Sequence, residues 1–160
     1  MNMLDIYRRL NQQPLVEELL ETNHISQKYG LTLYPVQARD IIQARNQALQ
    51  DYGRIETDNR IISQIISSFC SSPYLSNENY TNSINELIDI FYFFKNETRD
   101  LIADKELLLL MKDLFNDCCC GSLDLLRYRE LPSVAAELKQ RADGVNNLER
   151  EMDNEGRLFR

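Results

Sequence analysis

The chain reads as an all-α protein, a compact bundle of about six to eight helices. Three observations predict this. Apolar residues recur at helical spacing in several separate segments. Strand-like alternation is nearly absent. Only five Gly and four Pro punctuate 160 residues. A chain of this length suits one domain and can bury roughly 70% of the surface that its unfolded form exposes. An apolar fraction of 43% with 27% charged residues is that of an ordinary globular protein.

A first helix is expected over residues 2–10. Pro14 suits the first turn of a second helix over residues 15–28, because the N–H it lacks has no partner there anyway. Leu15, Val16, Leu19 and Leu20 share the apolar face of that helix, and Gly30 stops it. Residues 32–35 lead into a third helix, where Ala38, Ile41, Ile42, Ala48, Leu49 and Tyr52 fall at helical spacing and Gly53 closes the segment. Ile55 is expected to pin the connection to the core. Thr57 or Asp58 caps a fourth helix carrying Ile61, Ile62, Ile65, Ile66 and Phe69, which Pro73 ends. Ser76 or Asn77 opens the fifth and longest helix, whose stripe of Tyr80, Ile84, Leu87, Ile88 and Phe91 continues to Thr98, Leu101 and Ile102. Asp104 caps a sixth helix with Leu107, Leu110, Met111, Leu114 and Cys118 on one face, and Gly121 breaks it. A short helix follows over residues 122–129. Leu131-Pro132-Ser133 restarts the chain into a last helix, with Val134, Leu138, Val145, Leu148 and Met152 at near-heptad spacing. Residues 1–145 are thus expected to form a single helical domain, and 146–160 a charged extension of the last helix that frays or projects.

Composition excludes several classes of partner. Eighteen Lys and Arg against twenty-five Asp and Glu leave a net charge of −7. Such a surface repels phosphate backbones and anionic headgroups, and there is no basic run longer than Arg8-Arg9, so nucleic acid is not an expected partner. The most apolar windows, 84–94 and 107–111, are shorter than the roughly 20 residues that a bilayer requires, so no membrane association is expected. Asp5, Arg8 and Arg9 precede any apolar block, unlike the order of a signal peptide. Cys118, Cys119 and Cys120 are adjacent and form a poor disulfide framework with Cys70. Reduced thiols in a soluble cytoplasmic protein fit better.

The usual chemical motifs are missing. His24 is the only histidine, which disfavours triads and histidine-rich metal sites. A surface or capping role suits it. The three adjacent cysteines point roughly 100° apart around a helix, so at most two could ligate one ion. Cys118 is expected in the core, with its neighbours at a half-buried helix end. The pairs Glu86 and Asp89, Glu97 and Asp100, and Asp113 and Asp117 read as solvated faces. Every glycine is isolated, with no GxGxxG, GxxxxGK[ST] or GxSxG. No cofactor and no metal are expected, and no catalytic residue is assigned.

Two constellations stand out. Arg45 falls within the apolar progression of the third helix, where a charged group must reach solvent or find a partner. Lys95-Asn96-Glu97 follows the aromatic block of the fifth helix. Arg45, Asn46, Asn96 and Glu97 are therefore expected to meet in a partly buried polar network, either as a bridge fixing helix register or as the lining of a ligand pocket. The second constellation is Phe91-Tyr92-Phe93-Phe94. Four consecutive aromatics cover about 300° of a helix, so either the helix is central and surrounded, or Tyr92, Phe93 and Phe94 form an interface. The run Leu107 to Leu110 poses the same choice.

The stretches Ala44-Arg45-Asn46-Gln47-Ala48-Leu49, Tyr52-Gly53-Arg54-Ile55-Glu56, Phe91-Tyr92-Phe93-Phe94-Lys95-Asn96-Glu97, Asp104-Lys105-Glu106-Leu107 and Gly121-Ser122-Leu123 resemble a family of small uncharacterised cytoplasmic proteins from Clostridium-type bacteria, known only as a domain of unknown function. The similarity runs from about residue 15 to 131. It implies a helical domain and supplies no catalytic residue. The leading functional expectation is a non-enzymatic protein-interaction or adaptor domain. The alternatives are a domain that binds, or acts on, a small anionic ligand in a pocket around Arg45 and Glu97, and a homodimeric structural module.

Overall fold

The computed structural model describes residues 2–158, and side chains throughout that range except those of Asp5, Arg8, Arg9 and residues 146–158. The chain runs through α1 (Met3–Leu20), a one-turn α2 (Asn23–Ser26), α3 (Pro35–Asp51), α4 (Arg60–Phe69), α5 (Tyr80–Glu97), α6 (Asp104–Asp113), a three-residue α7 (Leu123–Leu125) and α8 (Leu131–Leu158). Among the described residues there is no strand, so the expected all-α bundle is what forms. The charged extension expected over 146–160 continues α8 as helix to Leu158. Its side chains and its last two residues lie outside the described residues.

The bundle is arranged around α5. Ten of its eighteen residues are buried, and they cover about 200° of its circumference, leaving a narrower, mostly polar face that carries Asn82, Glu86, Phe93 and Asn96. It packs against α3, α4, α6, α7 and α8. Phe91, Tyr92 and Phe94 are fully enclosed, as the central-helix reading requires. Each such side chain contributes roughly 1.5–3 kcal/mol of burial free energy. Phe91 meets Tyr92 edge-on at 5.2 Å, and Phe93 meets Phe94 at 5.0 Å. Against this rod α4 lays Ile61, Ile62, Ile65, Ile66 and Phe69, one strongly apolar face.

The start of the chain differs from expectation. Residues 3–20 form one helix with Pro14 inside it, in place of two helices. Leu10 and Pro14 are both exposed, so water can take the place of the N–H that Pro14 cannot offer to the Leu10 carbonyl. The helix ends at Leu20, where the Thr22 hydroxyl donates to the Leu19 carbonyl at 2.7 Å. Beyond it Asn23 pairs with both backbone groups of Leu33, at 2.9 and 2.8 Å, and Ser26 donates to the Leu31 carbonyl. Gly30 and Gly53 close their segments as expected. Ile55 is 92% exposed and pins nothing; Asn59 does that work, donating to the Leu15 carbonyl at 2.8 Å. Asn59 is the residue that precedes α4, but it makes no side-chain cap; the Asp58 carboxylate, one of the two expected caps, accepts the Arg60 N–H at 3.2 Å.

The end of α5 is also corrected. The helix stops at Glu97, so Leu101 and Ile102 belong to a loop that the apolar periodicity wrongly extends into helix. Arg99 and Asp100 take left-handed backbone with φ 53° and 57°. No Gly or Pro marks the break. Buried Lys95 holds it: Nζ donates to the Ile102 carbonyl at 2.7 Å and pairs with Asp104 at 2.8 Å and Asp100 at 3.5 Å. Burial pushes the Asp104 carboxyl up, but Lys95 and Arg60 outweigh it and hold the group below the usual carboxylate range. Ala103, not Asp104, occupies the N-cap position of α6 and makes no side-chain cap; Asp104 lies in the first turn.

Two π-helical turns rearrange the remainder. The turn Leu114–Cys118 adds a residue to the helical repeat, and the Cys119 N–H reaches back five residues to the Leu114 carbonyl at 2.8 Å. The extra residue rotates the following side chains, so Cys119 is buried while Cys118 and Cys120 are exposed, the reverse of the expected placement of Cys118. A second turn, Leu126–Glu130, joins α7 to α8 without a break, and Leu131-Pro132-Ser133 continues a helix where a restart is expected.

Gly121, at φ 83°, is the tightest glycine: a Cβ there would stand 2.4 Å from the Tyr74 ring. Gly121→Ala is therefore expected to lower stability by at least about 1 kcal/mol, read as a lower urea midpoint at unchanged slope. Asp104→Asn removes one anion from Lys95 and should cost about 2 kcal/mol near neutral pH. Because the native state depresses this carboxyl, its contribution is present above the ordinary carboxylate value and is lost as pH falls through the native one. The stability gap between wild type and Asp104→Asn should accordingly close below about pH 4.

Candidate functional site

A groove of about 530 Å³ lies between the C-terminal half of α5 and the first turns of α8. Phe93, Phe94 and Tyr52 form one wall, and Tyr128, Pro132, Ala135 and Ala136 form the other. Its small residues come from α8, where the Ala135-Ala136 pair leaves room beside the rings. Phe93 is the member of the aromatic block that the core leaves half-exposed, and its ring stands 5.9 Å from that of Tyr52. Glu97, Lys139 and Arg127 supply the charge. Lys139 donates to Glu97 at 3.2 Å across one end.

A polar network fixes the other end. The Tyr52 hydroxyl donates to Asp89 at 2.9 Å, and Arg127 pairs with the second oxygen of the same carboxylate. Burial, then the Asp89 hydrogen bond, push the Tyr52 phenol up to about 12. The π turn positions Arg127 and Tyr128 on the groove side of the chain. Such turns are frequent at functional sites because they re-aim side chains out of helical register.

The expected polar network does not assemble. It divides into three pieces. Arg45 is only 2% exposed; its Nε donates to Asn46 at 2.9 Å and Nη1 donates to the Asp58 carbonyl, which anchors the α3–α4 connection. Among the described residues it forms no ion pair, and it does not line the groove. Asn96 donates to the Tyr52 carbonyl at 2.8 Å and accepts from Arg54, which pairs with Asp100. Glu97 joins Lys139. The residue level with Asn96 is Tyr52, just past the C-terminal end of α3, and Arg45 lies about 10 Å back along that helix.

The aromatic block divides as well. Tyr92, expected at an interface, is fully buried and donates to Glu56 at 2.5 Å; burial and Glu56 both push its phenol up. Phe94 offers only an edge to the groove, and Phe93 is the open face. Sequence reasoning missed Tyr52, Arg127, Tyr128, Pro132, Ala135, Ala136 and Lys139. The available signal was the small Ala135-Ala136 pair on a helix otherwise facing bulky apolar partners. His24 is exposed. Among the described residues no cluster of three or more His, Cys, Asp or Glu could hold a metal ion, and no helix is long and apolar enough to cross a membrane.

Asp89→Asn should bring the Tyr52 ionisation down from about 12 toward the ordinary tyrosine value near 10. The check is the alkaline absorbance titration at 295 nm, with Tyr52→Phe identifying the band. A phenol raised in the native state stabilises it below the ordinary value and ceases to do so as pH rises through the native one, so the wild type should lose stability between about pH 10 and 12.

No curated protein matches the chain, and no solved structure does. A family model does match, over residues 18–144, which takes in the end of α1, the whole of α2 to α7 and the first half of α8, including every residue lining the groove. The chain belongs to a family of unknown function (DUF6323).

Proposed function

We propose that this protein is a non-enzymatic interaction domain, formed by residues 1–145, whose groove between α5 and α8 receives an apolar helical segment of a partner protein. One observation carries the reading. Phe93 is left partly exposed and Tyr128 largely exposed beside an alanine pair, although α5 buries the three other aromatics of the Phe91–Phe94 block. The groove is open along α8, as helix-in-groove recognition requires, and a helix with bulky residues at i, i+3 or i+4, and i+7 would fill it. Glu97, Lys139 and Arg127 at its ends can select polar flanks of that segment. The acidic composition, the free cysteines and the bacterial resemblance support a cytoplasmic setting.

Peptide display on the immobilised protein tests this, with Ala136→Trp as a plugged control. The expected result is enrichment of amphipathic helical peptides that lose at least tenfold in affinity on Ala136→Trp and on Phe93→Ala. Failure to enrich any peptide that distinguishes wild type from the plugged variant overturns the reading. If a small amphipathic anion such as 8-anilinonaphthalene-1-sulfonate instead binds saturably and is blocked by Ala136→Trp, the groove is a small-ligand site. Its volume also suits one.

A further inference from the structure

The helix α1 carries two apolar faces that point in opposite directions. Its C-terminal half buries Val16 and Leu19, with Leu15 and Leu20 beside them, against the bundle. Its N-terminal half exposes Met3 (83%), Leu4 (64%), Ile6 (42%), Tyr7 (65%) and Leu10 (67%). At 3.6 residues per turn, Met3, Ile6, Tyr7 and Leu10 lie within about 100° of one another, and the centre of that stripe is about 160° from the centre of the buried face. The half-turn offset means that docking α1 onto its own core holds the stripe away from that core. The stripe also precedes residue 18, where the match to the family begins.

We infer that this stripe is a homodimer contact, in which the first three turns of α1 pair antiparallel with those of a second copy. Three observations favour that occupant. The first is register: about a two-fold axis between Ile6 and Tyr7, Met3 of each chain meets Leu10 of the other and Ile6 meets Tyr7, so the pattern is complementary to itself. The second is area. The four side chains of the stripe expose on the order of 500 Å² per chain, and a two-fold pair can cover up to about 1,000 Å², the size of a weak but specific interface. The third is charge. The first sixteen residues carry one net positive charge and the remaining chain eight net negatives. Contact at the N-terminal tips keeps two acidic bodies apart, and the same acidity opposes seating the stripe on an anionic lipid surface. The pairing is separate from the groove, which sits at the other end of the sequence order.

Sedimentation velocity of the full chain over about 1 to 200 μM is the test, with the double variant Tyr7→Glu/Leu10→Glu and with Ala136→Trp in parallel. Both altered positions of the double variant are exposed, so its helicity should match the wild type, as should its melting temperature at concentrations where both are monomeric. Wild type and Ala136→Trp should show one monomer–dimer equilibrium of the same strength, and the double variant should weaken it at least tenfold. A wild type that stays monomeric at the highest concentration overturns the inference. So do a double variant that dimerises normally, and a ladder of larger species. Loss of the dimer in Ala136→Trp alone places the contact at the groove and likewise overturns it. Flotation with phosphatidylcholine–phosphatidylglycerol vesicles completes the set: a monomer that floats, and ceases to float in the double variant, replaces the second copy by a lipid surface.

Discussion

A helix that carries Phe91-Tyr92-Phe93-Phe94 around most of its circumference cannot be satisfied at one face of a bundle. Everything else in this protein follows from enclosing α5. With α3, α4, α6 and α7 packed on it and α8 across its C-terminal half, the apolar majority of its circumference is covered. The cover stops at Phe93, where α8 presents alanines in place of large side chains, and the groove is the result. Site and core therefore belong to one packing problem, and filling the groove from α8 would complete the core and erase the site.

The two buried cations show how differently such groups can be accommodated. Lys95 is surrounded by acceptors of full charge and ties the left-handed α5–α6 loop back to the helix end. Arg45 is held by an amide and a carbonyl, without an ion pair. A buried guanidinium that meets only neutral acceptors retains much of its desolvation cost, offset by the apolar packing of its stem and by fixing the α3–α4 connection. That connection carries Arg54 and Glu56, which in turn hold Asn96 and Tyr92 of α5. The polar residues thus lock the loops around the central rod, while the apolar residues form its sheath.

Local departures from regular helix decide which side chains reach the groove and which reach the core. One extra residue in the turn before Cys119 exchanges the buried and exposed cysteines. The comparable turn before α8 swings Arg127 onto Asp89 and Tyr128 to the groove edge. The two π turns pack against each other.

The amino-acid sequence by itself determined the helical class, most members of the core stripe in α3 to α5 and the glycine stops, and it posed the choice between a surrounded α5 and an interface. These depend on periodicity and on the size of aromatic side chains, which are local properties. It also marked Arg45, Glu97 and Phe93 as residues with something to explain. Only the tertiary structure decided which of them meet. Arg45 and Glu97 lie on different levels of neighbouring helices, and periodicity carries no information about how far one helix slides along another. The left-handed Arg99 and Asp100, the π turns and the loop following Glu97 were equally invisible. Their cost is met by long-range contacts — Lys95 to Ile102 and Asp104, Arg127 to Asp89 — that no local pattern encodes. The groove is of the same kind, a gap defined by what α8 fails to fill on a helix about forty residues earlier in the chain.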